Sequence, residues 1–486
     1  MSAAAVLLPG FVGTRLPDWL AARLRDGLAG VCLFAENIVS PSQLRHLTAA
    51  IRAANPLAIV AVDEEGGDVT RLHAATGSPF PGNAVLGRLD DLALTAAVGG
   101  AVAGELRAAG VNLNLAPDAD INSDPRNPVI GVRSFGTDPD LVARHTAAWV
   151  AAHEAAGAAV SVKHFPGHGD TAADSHHALP VVDLPLERLR ERELLPFRAA
   201  IEAGARTVMS SHILLPRLDP DAPATFSTRI LDGLLRQELG FAGVVVSDAL
   251  DMAGASAETG IPVAAVRALA GGCDLLCLGT RSTDEQLAAI ETAIATAVAR
   301  ESGADGAGGA SAGLTLAPDR LADAATRVRA LAVGLATTRT DGAPGPGDAA
   351  PAFVLDPARL ADAFDIVPGT VVPARHLLVA LETAANMAVG PDVPWGPTSV
   401  GAQPLRLREG DPLPPSRVPY VVVGKDVHRW GWAREVVDRA RASQPASVVI
   451  DMGWPAPDRR YADIATFGAS RGVSAVLQDV LDGRER

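Results

Sequence analysis

Ala158-Ala159-Val160-Ser161-Val162-Lys163-His164 is a short run of small and β-branched residues that ends in two basic side chains. Such a run favours extended backbone. Followed at once by Phe165-Pro166-Gly167, it reads as a strand that stops in a loop. The pattern recurs on both sides. Runs 30–34, 58–62 and 111–115 precede it, and runs 207–210, 244–247 and 275–278 follow. Between them, stretches 41–54, 94–109, 139–155 and 186–203 place apolar residues at i, i+3 and i+4, the helical spacing. Strands alternating with helices imply parallel strands joined by helical crossovers. Seven or eight such units in about 300 residues suit a (β/α)8 TIM-like barrel better than an open sheet.

Polar residues gather where the strands end. Asp63-Glu64-Glu65-Gly66-Gly67 follows one run, residues 114–118 another, and Lys163-His164 ends a third. Ser211-His212 and Ser247-Asp248 end two more. In a barrel these ends share one face, where active sites are built, so residues far apart in sequence converge there.

The chain has 486 residues, 48% hydrophobic and 20% charged, which suits a globular protein with ample core. One barrel does not use that length. Residues 301–313, ESGADGAGGASAG, read as a linker, because they lack the Lys-Ser/Thr pair of a phosphate-binding loop. A helix over 317–336 follows, and the Gly/Pro/Ala-rich stretch 341–351 marks a boundary. Beyond it, strand-like runs 376–381, 420–423 and 447–450 and a helical pattern over 432–442 predict a smaller α/β layered domain. The expected division is 1–340, a catalytic barrel with its connecting linker and helix, and 341–486, a C-terminal α/β domain.

A net charge of −14 argues against nucleic acid as the main partner, since phosphate binding needs a basic face. No uncharged apolar run approaches the ~18 residues of a membrane span. Residues 1–8 lack a basic leader region and read as part of the fold. Cys32, Cys273 and Cys277 make no disulfide framework. Together these features predict a cytoplasmic protein.

The densest chemistry lies in residues 163–177, which hold four histidines, two aspartates and Lys163. Lys163 and Lys425 are the only lysines in the chain. The loop can be read as a zinc site, although it has no His-x3-His on a helix and no cysteine pair. It can be read as a solvated polar loop. It can also be read as an acid–base loop, in which Asp174, two residues before His176, holds the imidazole and raises its basicity. Gly167 and Gly169 would let it fold over a ligand. Asp248 is either a reactive carboxylate at the strand end or a helix N-cap. Asp63, followed by Gly66-Gly67, suits close approach to a sugar or a plain turn. Arg71 and Arg133 stand as isolated arginines, and His212 lines the pocket or caps a strand.

Lys163-His164-Phe165-Pro166-Gly167-His168-Gly169 with Asp174-Ser175-His176 closely resembles the signature loop of glycoside hydrolase family 3, in its NagZ-type β-N-acetylglucosaminidase branch. Asp63-Glu64-Glu65-Gly66-Gly67-Asp68-Val69-Thr70-Arg71 resembles the branch's substrate-binding turn. Residues 127–135 resemble its arginine-bearing loop, and Ser247-Asp248-Ala249-Leu250-Asp251-Met252 its nucleophile motif. The motifs stand in the family's order over roughly 25–285, and residues 466–472 look like the C-terminal domain of two-domain members. Three positions depart from the pattern. Glu64 and Asp68 replace the usual glutamine and arginine of the turn, and Ala249 stands where a second aspartate is common.

The resemblance implies a retaining exo-β-N-acetylglucosaminidase. Asp248 would be the nucleophile and His176 the acid–base group, oriented by Asp174. Asp63, Arg71, Arg133, Lys163 and His164 would bind the non-reducing sugar. No metal or organic cofactor is required, and the partner is a small carbohydrate, such as a cell-wall fragment ending in N-acetylglucosamine. Because a histidine puts no fixed negative charge beside the acceptor, a phosphorylase acting on N-acetylglucosaminides or glucosides is the runner-up. A catalytically silent sugar-binding protein is the alternative of a different class. The sequence carries no reading of oligomeric state.

Overall fold

In the computed structural model, the described residues are 2–171, 179–302, 313–337, 353, 355–383, 388–390 and 392–483. They form two compact units. The first holds residues 1–64, 95–128 and 137–352; the second holds 65–94, 129–136 and 353–486. The expected cut near residue 341 falls outside the described residues. The units are not consecutive in sequence, since two early segments belong with the C-terminal one.

The first unit is built on eight short strands: β1 (Leu7–Leu8), β2 (Gly30–Leu33), β3 (Ile59–Val62), β4 (Leu113–Asn114), β5 (Ala159–Phe165), β6 (Thr207–Ser210), β7 (Val244–Val246) and β8 (Leu276–Cys277). Strands β2 to β7 pair in sequence order, all parallel. Closure comes through β1 and β8. Leu7 pairs with Leu276, the Ser247 N–H donates to the Leu275 carbonyl at 2.9 Å, and the Cys32 N–H donates to the Pro9 carbonyl at 2.9 Å. The ring is the expected (β/α)8 TIM-like barrel.

Side chains of a strand alternate between faces. Leu8, Cys32, Ala61, Leu113, Ala159, Met209, Val246 and Cys277, one from each strand, join a single buried cluster. They mark the inward set. Asp63 stands two residues beyond Ala61, Asp248 two beyond Val246, and Lys163 four beyond Ala159. All three continue the inward set at the carboxyl end.

The crossover helices start where the sequence signals. Pro41–Ala54 and Pro139–Ala155 each open with proline in the first turn, where the missing N–H costs nothing. Ser40 and Asp138 cap them by accepting the Gln43 and Leu141 N–H groups. Helix Leu92–Ala109 is long and apolar enough by composition to cross a membrane. Here it packs in the fold: Thr95 Oγ1 lies 2.8 Å from His145 Nδ1, and the Gly99 carbonyl is 3.0 Å from His153 Nδ1. The run 186–203 is two helices, Leu186–Glu191 and Leu194–Glu202, broken at Arg192.

The second unit carries six strands: β9 (Asp365–Ile366), β10 (Leu377–Leu381), β11 (Leu405–Leu407), β12 (Tyr420–Gly424), β13 (Val448–Asp451) and β14 (Ile464–Ala465). Their order is β11-β10-β12-β13-β14-β9, parallel except for the edge strand β9. Alternation assigns the two faces. Tyr420, Val422 and Val449 pack with Val436 and Val437 of helix Gly431–Ser443. Val421, Val423 and Ile450 pack with Val473 and Leu477 of helix Arg471–Leu481. Each fully buried aliphatic side chain contributes about 1.5–3 kcal/mol. The result is the predicted α/β layered domain.

Candidate active site

The carboxyl rim of the barrel brings together two predicted residues. Lys163 Nζ lies 2.7 Å from Asp63 Oδ1, with side-chain exposures of 4% and 18%. Exposure so low makes each charge dependent on the other.

His164 follows on β5 and is almost buried. Its Nδ1 lies 2.7 Å from Asp120 Oδ2, so the Nδ1–H donates to that carboxylate and fixes the ring. Asp120 also accepts the His168 N–H at 2.6 Å. Asp118, Asp120 and His164 offer possible ligand atoms within 4.8 Å of one another. Asp118 Oδ1 and both Asp120 oxygens already serve the chain's own donors, the first by accepting the Asp120 N–H at 2.9 Å.

The loop after β5 is braced from behind. A side chain on Gly169 would place its Cβ 1.6 Å from the Ile121 carbonyl oxygen, so glycine there serves close backbone packing, not folding over a ligand. The Asn127 side-chain amide donates to the carbonyls of His168 and Gly169. Arg192 donates to Asp170 and Glu193, both at 2.6 Å. Burial pushes the Glu193 carboxyl up to about 7 despite the Arg192 charge. Asp174 and His176, the predicted acid–base pair, lie outside the described residues.

Asp248 follows β7 and caps no helix. The next helix, Ala253–Ser256, has Met252 at its N-cap. The Asp248 carboxylate accepts the Ala249 N–H at 2.7 Å and is partly exposed. His212 Nε2 lies 3.1 Å from the Ala249 carbonyl oxygen, which only accepts, so His212 holds a proton on Nε2. Ser247 Oγ accepts the Cys277 N–H at 3.0 Å and ties β7 to β8. Cys273 is buried, its thiol pushed up to about 12 by desolvation, and stays protonated at neutral pH.

Arg71 and Arg133 belong to the second unit. Arg133 forms a two-pronged ion pair with Glu65, at 2.9 Å through Nε and 2.7 Å through Nη2, and both residues are buried. The Asn83 side-chain amide donates to the Arg133 carbonyl at 2.7 Å. Arg71 Nη2 donates to the Ala388 carbonyl at 2.8 Å.

Four residues here carry geometry that the sequence reading passed over: Asp120, Glu65, Glu193 and Arg192. Asp120 and Glu65 stand within or just after acidic strand-end segments, which is the only signal they gave. Glu193 and Arg192 sit in what looked like continuous helix.

The sequence and the fold are similar to those of known proteins. Residues 18–305 match the model of the glycosyl hydrolase family 3 N-terminal domain. A β-hexosaminidase of Stenotrophomonas maltophilia is 40% identical over 298 residues, 59% of this chain and 87% of that protein. β-Hexosaminidase A of Pseudoalteromonas piscicida is 42% identical over 267 residues, 50% of this chain, and the match spans only 44% of that longer protein. The solved structure of a glycoside hydrolase family 3 β-N-acetylglucosaminidase from Paenibacillus sp. covers 99% of this chain and 96% of its own, at 29% identity and a TM-score of 0.83. With its barrel, its strand-end motifs and a family match over more than half its length, the chain belongs to glycosyl hydrolase family 3.

Proposed function

We propose that this protein is a retaining exo-β-N-acetylglucosaminidase. The observation that carries the reading is Asp248, a partly exposed carboxylate two residues beyond Val246 of β7, at the carboxyl rim, with no helix to cap. The β-hexosaminidase relatives and the β-N-acetylglucosaminidase fold match support it.

In this mechanism an Asp248 oxygen bonds to the anomeric carbon as the bond to the leaving oxygen breaks. His176, oriented by Asp174, gives its proton to that oxygen. Water then attacks the glycosyl ester, returns a proton to His176, and frees the sugar with its configuration retained. An ordinary imidazolium, with a pKa of about 6.5, is matched to proton donation near neutral pH. Asp63 accepts hydrogen bonds from sugar hydroxyls, and Lys163, His164, Arg71 and Arg133 donate to the sugar. The substrates are cell-wall-derived glycosides ending in N-acetylglucosamine, handled in the cytoplasm, a setting that suits three buried cysteine thiols.

The test compares p-nitrophenyl β-N-acetylglucosaminide with the matching glucoside, each with and without phosphate. Hydrolysis of the first, indifferent to phosphate, supports the reading. Phosphate-dependent release of a sugar 1-phosphate, or preference for the glucoside, overturns it.

A further inference from the structure

We infer that Lys425 and Asp68 are positioning residues for the sugar-binding turn, and that the C-terminal sheet exists to hold that turn. The inference rests on the proposed function in one respect: it takes Arg71 and Arg133 as sugar ligands.

The strand order β11-β10-β12-β13-β14-β9 reverses direction between β10 and β12. Open α/β sheets take their ligands at such a switch point, outside the carboxyl ends of the strands. Here the chain's own segment fills that place. Lys425 follows β12 directly, and its Nζ lies 3.5 Å from Asp68 Oδ2. The Trp395 ring lies 5.1 Å from the same ammonium. Ala469, beyond β14, donates its N–H to Asp68 Oδ1 at 2.7 Å. At the amino end of helix Arg471–Leu481, the Gly472 N–H donates to the Ser78 carbonyl at 3.3 Å.

The side chains of Asp68 and Lys425 are 5% and 12% exposed, so either charge alone would be left in poorly solvated surroundings. Asp68 is one of the turn's departures from the family pattern, and it faces one of the two lysines in a chain that otherwise uses arginine. Glu65, three residues before Asp68, grips Arg133. Arg71 lies three residues after it. The C-terminal domain thus acts on both arginines through the backbone of one turn, without touching the sugar.

Full-length Lys425→Met, Asp68→Asn, their double variant and Lys425→Arg test this. Two measurements are made on each: kcat and KM on p-nitrophenyl β-N-acetylglucosaminide well below the melting temperature, and amide hydrogen exchange of peptides covering 65–71 and 129–136 against barrel peptides. Lys425→Met and Asp68→Asn should raise KM about tenfold with kcat nearly unchanged, the mark of lost ground-state binding. Exchange should quicken in 65–71 and 129–136 and stay unchanged in the barrel. Lys425→Arg should keep most of the wild-type KM. If Lys425→Met fails to fold, Asp68→Asn and Lys425→Arg decide on the same readouts. Unchanged KM with unchanged exchange overturns the inference, as does a loss of kcat with equal exchange everywhere. If the wild-type protein leaves the glycoside intact, the proposed function fails, and the exchange comparison still decides whether Lys425 orders the turn.

Discussion

Lys163 Nζ sits 2.7 Å from Asp63 Oδ1, although β5 and β3 are not neighbours and β4 runs between them. The pair spans the inward side of three strands at the rim. Breaking it from one side should cost about 3 kcal/mol, because the remaining charge is poorly solvated. Lys163→Met should show that loss in urea unfolding, with kcat/KM down about a hundredfold or more. Lys163→Met combined with Asp63→Leu should recover the stability and not the activity. Recovery of both would remove these residues from sugar binding.

Asp248→Asn should leave the fold intact, since the side chain caps no helix, and should lower kcat by about a thousandfold or more. Intact mass spectrometry with a slow fluorosugar substrate should find the wild-type protein heavier by one glycosyl residue, and the variant unmodified. Wild-type rates in the variant would transfer the nucleophile role elsewhere.

His176→Ala should discriminate between leaving groups. Activated aryl glycosides need little protonation, so their kcat should fall far less than that of natural disaccharides. A plot of rate against leaving-group pKa should steepen in the variant. Equal losses across the series would count against an acid role.

Arg133→Lys should separate geometry from charge. Glu65 takes two parallel N–H bonds from the guanidinium, and an ammonium cannot supply them both. KM should rise about tenfold with kcat little changed. Glu65→Gln should do the same, because the arginine loses the carboxylate that aims it. Unchanged KM in both variants would show that this ion pair does not set sugar affinity.

Glu193 predicts a pH effect on stability. Its carboxyl is raised from 4.5 to about 7 by burial, so the folded protein keeps a proton that the unfolded chain has already lost. Stability should therefore fall as pH rises from 4.5 to about 7, by on the order of 3 kcal/mol, and stay reduced above that. Glu193→Gln should flatten this slope and gain stability at pH 8, less whatever attraction to Arg192 is lost. Chemical denaturation at pH 5 and pH 8 reads both, and parallel slopes in the two proteins would refute the assignment.

Much of the barrel was legible because its elements repeat a strong pattern. Helices Pro41–Ala54 and Pro139–Ala155 begin and end where proline, cap and periodicity say they should. Leu7–Leu8, Asp365–Ile366, Leu405–Leu407 and Ile464–Ala465 escaped, since two or three residues carry no period. The Asp63, Lys163 and Asp248 positions were readable as strand ends. The kink at Arg192 was hidden by apolar residues that kept helical spacing across it. The attachment of the Asp68 turn to Ala469, 401 residues away, left no local trace at all.

That long-range attachment also orders events on the ribosome. Residues 65–94 and 129–136 are made early, yet their partners in the same unit begin at residue 353. Domains emerging from synthesis fold from the amino terminus as units. The barrel strands can close once β8 has been translated, while the arginine-bearing segments must wait for the last hundred or so residues to complete their unit. A nascent chain stalled before Ala469 would hold a finished barrel and an unfinished second unit, so the segments that carry Arg71 and Arg133 should be the last to settle.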